Sequence, residues 1–279
     1  MKKFVFILLF IHFFSYSLEA QDTPPCYSAL EELSHRFFLE PIAKKDTRLL
    51  RERAACYFSG NNNIHREPLM GYAHLIIAAD LGDGYAAFDL AERISTDPLV
   101  NQAACFNTIA KYYGRAAKKN TPNALRKLCT HLGRKIMPEE LQEIPEKDIT
   151  SDFFLHLIED EPEKITAEVF TKQGIELCKG NKTINADQLR ALALFCVAFH
   201  RYPDSCWGAD ALTDFIIQPR QHPFLYPNNK VALYYAQIAK TRGAQNEAER
   251  VATLQEKVVQ QESGPSLLET IGAFFFSLL

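Results

Sequence analysis

Gly60–Ala79 reads GNNNIHREPLMGYAHLIIAA, and Gly180–Phe199 reads GNKTINADQLRALALFCVAF. Without a gap, Gly60 falls on Gly180, Asn61 on Asn181, Ile64 on Ile184, Leu69 on Leu189, Ala73 on Ala193 and Ala78 on Ala198, while Glu67 falls on Asp187. A loop and the helix that follows it are thus written twice, 120 positions apart. Self-similarity of this kind marks a repeat protein, in which one supersecondary unit is copied and stacked. It moves the expected role away from a single catalytic pocket and towards an extended binding surface.

The helical half of the unit recurs more often than the loop. A small residue is followed seven positions later by Ala and four after that by Gly. Gly71, Ala78 and Gly82 form one copy, Ala103, Ala110 and Gly114 a second, and Ala232, Ala239 and Gly243 a fourth. The third, Ala191 and Ala198, has Tyr202 where Gly is expected. The second and fourth copies also share the text IAKxxG, at Ile109–Gly114 and Ile238–Gly243. Positions seven apart lie on one face of a helix, and small side chains there admit a neighbouring helix closely. A Gly four residues on suits the left-handed residue that ends a helix.

These residues resemble the Sel-one-like repeat, a relative of the tetratricopeptide repeat. Ala54, Ala55, Tyr57 and Gly60 match the first helix and loop of that unit, and Glu67, Gly71, Ala78, Ala79 and Gly82 match the second helix. The resemblance implies an all-α solenoid of antiparallel helix pairs, with units of roughly 40 residues. It also implies an adaptor or assembly role, and in bacteria sometimes contact with host proteins. The clearest copy spans 48–90, with others at 172–212 and 225–255. The copy at 85–130 keeps its second helix but lacks the Gly loop, and 131–170 carries no clear match.

Strand signals are scarce, and Ser, Asp or Asn often precedes an apolar helical run as an N-cap. The pattern predicts helices over 27–40, 46–59, 67–80, 84–95, 99–114, 121–133, 138–144, 150–159, 162–179, 186–200, 205–217, 229–242 and 244–260. Residues 1–20 read as an export signal: Lys2 and Lys3, the apolar run Phe4–Phe14, then small residues ending at Ala20. The expected organisation is a signal at 1–20, N-terminal repeats at 21–135 and an irregular junction at 136–161. C-terminal repeats at 162–260 and an apolar end at 261–279 complete it. That end, SLLETIGAFFFSLL, is too short for a standard membrane span. It reads as a final helix over the open end of the array, or as a segment that touches a membrane surface or a partner. The formal charge is −3, and the densest basic run, KKDTRLLRER at 44–53, is mixed with acids, so no nucleic acid is expected as partner.

The chain has seven cysteines, an odd number. In an exported protein some would pair. Antiparallel helices would bring Cys105 level with Cys129, which ranks that pair first and Cys26–Cys56 second. Cys178, Cys196 and Cys206 read as core thiols. Cys196 and His200 are four apart on one helix face, with Cys206 just beyond. Such ligands suit zinc, yet the paired short spacings of a structural zinc site are missing, so no metal and no cofactor is expected. Nucleophile-elbow, zinc-protease, P-loop and dinucleotide fingerprints are absent. Glu159, Asp160 and Glu161 precede a Pro and read as a solvated helix end. Tyr112, Tyr113, Trp207, Tyr234 and Tyr235 are the candidate anchors for a ligand, or else wedges between helices. The leading expectation is an exported scaffold that binds a protein or peptide on a concave face. The alternative is an envelope enzyme, a cell-wall hydrolase or metal enzyme, which would need a pocket of mutually bonded titratable groups.

Overall fold

The computed structural model describes residues 46–60, 66–144, 166–179, 187–218, 224–245 and 247–263. The helices among them are α1 (Thr47–Ser59), α2 (Pro68–Asp80), α3 (Gly84–Thr96), α4 (Phe106–Lys118), α5 (Ala124–Leu132) and α6 (Pro138–Glu143). They continue as α7 (Ala167–Lys179), α8 (Gln188–Arg201), α9 (Trp207–Ile217), α10 (Asn229–Thr241) and α11 (Glu247–Ser263). The described residues contain no strand, only one antiparallel bridge between Val100 and Leu225. The chain is all-α, and consecutive helices pack as pairs in two runs, α1 to α5 and α7 to α11.

The doubling read in the sequence is present in the backbone. The Glu67 N–H donates to the Tyr57 carbonyl at 2.9 Å, and the Asp187 N–H donates to the Leu177 carbonyl at 2.8 Å. These four residues are related by the same offset of 120, so α1–α2 and α7–α8 close in the same way. Gly60 takes φ 74°, as a helix-ending glycine should, and its N–H reaches the Cys56 carbonyl. Gly180 lies outside the described residues, as do the signal, the apolar end from position 264 on, the carboxylates at 159–161 and the helices predicted over 27–40 and 150–159.

After α8 the offset becomes 123, because α8 runs one residue further than α2 and Tyr202–Cys206 is a longer turn than Leu81–Asp83. This explains why Tyr202 stands where Gly was expected. Pro203 follows at once, and a helix cannot run on through it.

One copy of the repeat sits in a different register from its text. Ala103 is exposed in the loop before α4, Ala110 is only half buried, and Gly114 lies inside α4. The residue that ends α4 is Asn120, with φ 56°. Its N–H donates to the Ala117 carbonyl and that of Thr121 to the Ala116 carbonyl. The same two bonds form from Gly82 to Ala79 and Asp83 to Ala78, and from Gly243 to Lys240 and Ala244 to Ala239. The true equivalents of Ala78 and Gly82 are therefore Ala116 and Asn120. Ala78, Ala116, Ala191, Ala198, Ala232 and Ala239 are fully buried. Gly114 is small for another reason: a Cβ there would run into the Ile144 side chain.

The cause of the shift is tertiary. Helix was predicted over 99–114, but the Asn101 N–H donates to the Phe224 carbonyl and the Tyr226 N–H to the Leu99 carbonyl. This pairing draws 97–105 out as a loop. If Asn120 is the left-handed cap, Asn120→Gly relieves a strained φ and stabilises by about 0.5–1 kcal/mol. Gly114→Ala should lower the melting temperature instead. A fall in melting temperature for Asn120→Gly would refute the revised register.

The stack has one contact that adjacent repeats do not supply: α2 packs directly on α8. Every residue of α2 from Leu69 to Asp80 is buried, and so is every residue of α8 from Leu189 to Phe199. A helix apolar on all sides belongs in the middle of a core. α2 is covered by α1, α3 and α8, and α8 by α7, α9 and α2. The two runs of helices thus meet along one central seam.

Candidate functional site

Ionisable side chains gather at both ends of this seam. α2 and α8 run antiparallel, so the C-terminal end of α2 meets the start of α8 and the reverse. At one end Asp80, the last residue of α2, accepts Arg115 Nη1 on Oδ1 at 2.9 Å and Arg190 Nε on Oδ2 at 2.7 Å. Asp80 and Arg115 are 3% exposed and Arg190 is 2%. Arg190 Nη1 also lies 3.2 Å from Asp187 Oδ2, which gives two carboxylates and two guanidiniums in one knot. The Arg115 guanidinium lies over the Tyr112 ring at 5.4 Å. Burial works against the charge of Arg190, but the Asp80 carboxylate outweighs it and holds the guanidinium above its usual range.

At the other end Glu67, the residue before α2, accepts the Tyr235 hydroxyl at 2.9 Å and lies 3.3 Å from His200 Nε2. Cys196 Sγ donates to the Leu69 carbonyl at 3.6 Å. At the middle of α2, His74 is fully buried, with Nδ1 2.8 Å from the Met70 carbonyl and its ring 5.1 Å from that of Tyr57. Burial pushes the His74 imidazole down to about 3. Burial, and then the Glu67 carboxylate, push the Tyr235 hydroxyl and the Cys196 thiol well above their usual ranges.

The two knots are the same place in the duplicated architecture. Tyr112 and Tyr235 are equivalent at the offset of 123, and Glu67 and Asp187 at 120. His200 is the equivalent of Asp80. In one knot an imidazole faces a carboxylate directly. In the other two carboxylates face each other, and Arg190, at the position Met70 holds in the first half, bridges them. The signal for these residues was legible as single charges inside apolar helical runs, Asp80 after LIIAA and Arg190 before ALALF.

The candidate anchors divide. Tyr112, Tyr113 and Tyr235 are 2–3% exposed and are not surface anchors. They face inward because they occupy the helix face that meets the next helix. The Tyr113 hydroxyl donates to the Glu92 carboxylate, which Lys127 also reaches at 2.9 Å. Tyr234 is half buried, with its ring 5.0 Å from that of Tyr235. Trp207, the first residue of α9, is 41% exposed. Sequence reading missed Tyr85, 52% exposed in the first turn of α3, which is the equivalent helix of the other half. The Arg51 guanidinium lies 5.0 Å from the Tyr85 ring centre.

The leading disulfide does not form. Cys105 and Cys129 are free thiols, as are Cys178, Cys196 and Cys206. The turn after α4 runs to Asn123, so the residue level with the start of α4 is His131. Its Nε2 lies 2.9 Å from the Phe106 carbonyl, and its ring stacks on Phe106 at 4.3 Å. Cys129 is two residues short of that level, about 200° away around the helix. The pair Cys26–Cys56 includes a residue outside the described ones. Among the described residues no three His, Cys, Asp or Glu side chains converge as a metal would require. No described helix is long and apolar enough to cross a membrane.

No protein-family model matches the sequence, and no curated protein does. Among solved structures, a Sel1 repeat protein from Oxalobacter formigenes is 19% identical, with a TM-score of 0.31, over 83% of this chain and 96% of that one. A chain described as a sel1 repeat protein from Klebsiella pneumoniae subsp. pneumoniae is 16% identical, with a TM-score of 0.27, over 78% of this chain and 98% of that one. Likeness at these scores carries no weight for the fold or the role, which rest on the helix pairs themselves.

Proposed function

We propose that this helical-repeat chain is an exported interaction module that holds a protein or peptide partner against its outer helices. The observation that carries the reading is the pair Tyr85 and Trp207. Each half sets one large aromatic, half in solvent, on the first turn of the same helix of its repeat. Exposed Trp and Tyr are the side chains that most often dominate binding energy at protein interfaces. The buried polar groups suit a bracing role better than a catalytic one. Glu67, His200 and Tyr235 direct their polar atoms at one another across the seam rather than outward. For that reason interaction is preferred to an envelope enzyme. The Lys2–Lys3 start and the apolar run after it support export, and the apolar end at 261–279 remains the candidate for contact with a membrane surface.

The test places a photo-crosslinking residue at position 85 or 207 of the full chain in its own cell envelope. The expected result is one partner band common to both positions, on a mature chain that begins at Gln21. Truncating both aromatics, Tyr85→Ala with Trp207→Ala, should weaken capture of that partner at least about 30-fold, the equivalent of ~2 kcal/mol. Unchanged capture by the double variant would remove the anchors.

A further inference from the structure

Tyr85 stands where the turn between α4 and α5 comes to rest on the start of α3. A Cβ on Gly84, the residue before it, would lie 2.6 Å from both the Lys119 Cβ and the Thr121 Oγ1. The Ala124 N–H then donates to the Thr121 carbonyl at 3.2 Å, and α5 continues with Leu125, 46% exposed, and Arg126, also exposed. Tyr85 and Leu125 thus share an edge with two cations, Lys119 in the turn and Arg126 on α5. Arg51 of α1 braces the edge, its guanidinium against the Tyr85 ring.

This edge is basic. Between Asp97 and Glu139 the chain has eight Lys and Arg and no Asp or Glu. Half of the eight serve the fold: Arg115 on Asp80, Lys127 on Glu92, Arg134 on Glu140, and Lys118 on the Gln142 and Ile144 carbonyls. Of the nearby carboxylates, Asp83 caps α3 through the Ala86 N–H at 2.9 Å and lies 4.0 Å from Arg51. Asp89 is half buried on α3, with the Arg51 charge acting on it. Arg51 is therefore balanced from within, and Lys119 and Arg126 are the cations that face solvent.

The other half shows that the fold does not require them. At the offset of 123 Lys119 corresponds to Arg242, Leu125 to Ala248 and Arg126 to Glu249. Arg242 is turned onto α8, with Nη1 3.2 Å from the Phe199 carbonyl and its guanidinium 4.6 Å from the Phe199 ring centre. Glu249 is exposed. One turn, closed by the same two backbone bonds, carries two surface cations in the first half and a surface acid in the second.

We propose that the Tyr85 edge takes an acidic segment of the partner protein, its carboxylates against Lys119 and Arg126 and an apolar side chain against Tyr85 and Leu125. This rests on the reading of Tyr85 as an anchor and names the chemistry that the anchor holds. Two exposed apolar side chains are too few to seat the edge in a lipid surface. A long polyanion would also face the rest of a chain whose formal charge is −3. A short segment meets only the edge, because charges farther than about 8 Å away are screened at physiological ionic strength.

A random dodecapeptide library displayed on phage, panned on the full chain, is the charge-unbiased probe. The selected peptides should be acidic, with an apolar residue beside the acids. Fluorescence anisotropy of the best of them should show binding weakened at least about 10-fold by Lys119→Glu with Arg126→Glu, and as much by Tyr85→Ala. Arg126→Glu only installs the residue type that the equivalent turn carries at Glu249, and the melting temperature checks that the double variant folds. The unaltered chain gives a second measurement: about 1 M salt, where screening reaches in to about 3 Å, should weaken the peptide markedly. Neutral or basic peptides, no selected peptides, or an acidic peptide indifferent to salt or to the charge reversal would overturn the proposal. So would tighter binding of phosphatidylglycerol vesicles or of an oligo-dT strand at this edge. Failure of the interaction reading looks different: no crosslinked band at position 85 or 207. A band at 85 that survives the charge reversal undiminished would leave that reading standing and sink the acidic partner alone.

Discussion

Asp80→Ala should destabilise the chain by about 3–5 kcal/mol, the largest effect of any single change considered. Asp80 is one carboxylate shared by two buried guanidiniums, Arg115 at 2.9 Å and Arg190 at 2.7 Å. Each guanidinium gave up its hydration on folding, and Asp80 compensates both. Removing it leaves two like charges beside each other in a site of low dielectric, with Asp187 still paired with Arg190. The duplicated architecture supplies the rescue. The equivalents of Arg190 and Arg115 in the opposite knot are Met70 and Ile238. Asp80→Leu combined with Arg190→Met and Arg115→Ile removes the three most buried charges together and leaves Asp187, the most exposed member of the knot, on its backbone bond to position 190. It should recover most of the loss, because well-packed apolar groups replace buried ion pairs at little cost. Urea midpoints at constant slope measure both variants. An unchanged midpoint for Asp80→Ala would show that the seam does not depend on this knot.

The second large effect is expected from Gly208→Ala. Gly208 lies in the first turn of α9, directly on the backbone of α8. A Cβ at this position would stand 2.5 Å from the Phe199 Cα and 2.7 Å from the Ala198 carbonyl carbon. Backbone atoms inside a buried helix cannot swing aside, so α9 itself must shift. A cost of about 3 kcal/mol is expected, at the upper end for an added methyl in a packed core. Gly71→Ala is the control. Its Cβ would meet only the edge of the Phe58 ring, at 2.8 Å. A ring can tilt, so about 1 kcal/mol is expected there. Equal losses for the two variants would mean that the α8–α9 approach is no tighter than the rest.

Much of the fold was legible because its causes are local. Asp46, Asp83, Asp187 and Asn228 each accept a backbone N–H from the first turn of the helix they precede. Gly60, Gly82 and Gly243 each take the left-handed conformation that ends a helix. Residues that cap and residues that alternate along a face act on neighbours within a few positions, and the sequence displays such neighbours side by side. The site was less legible. Trp207 keeps its exposure, but Tyr112, Tyr113 and Tyr235 are interior, since an aromatic at a helix contact and one on a surface look alike in text.

The sequence by itself determined that this protein is built from helix pairs, that one pair is written twice, and where most of the described helices begin and end. Only the tertiary structure decided the register of α4, the free state of Cys105 and Cys129, and the meeting of α2 with α8. Leu99 and Asn101 leave the helix because their backbone groups pair with residues more than 120 positions away. Asp80 is buried and Glu67 largely covered because Arg190, His200 and Tyr235 arrive from the other half to satisfy them. Spacing along a chain records which residues share a helix face. It does not record which distant face will cover that one, and the burial of a charge is settled by the covering partner.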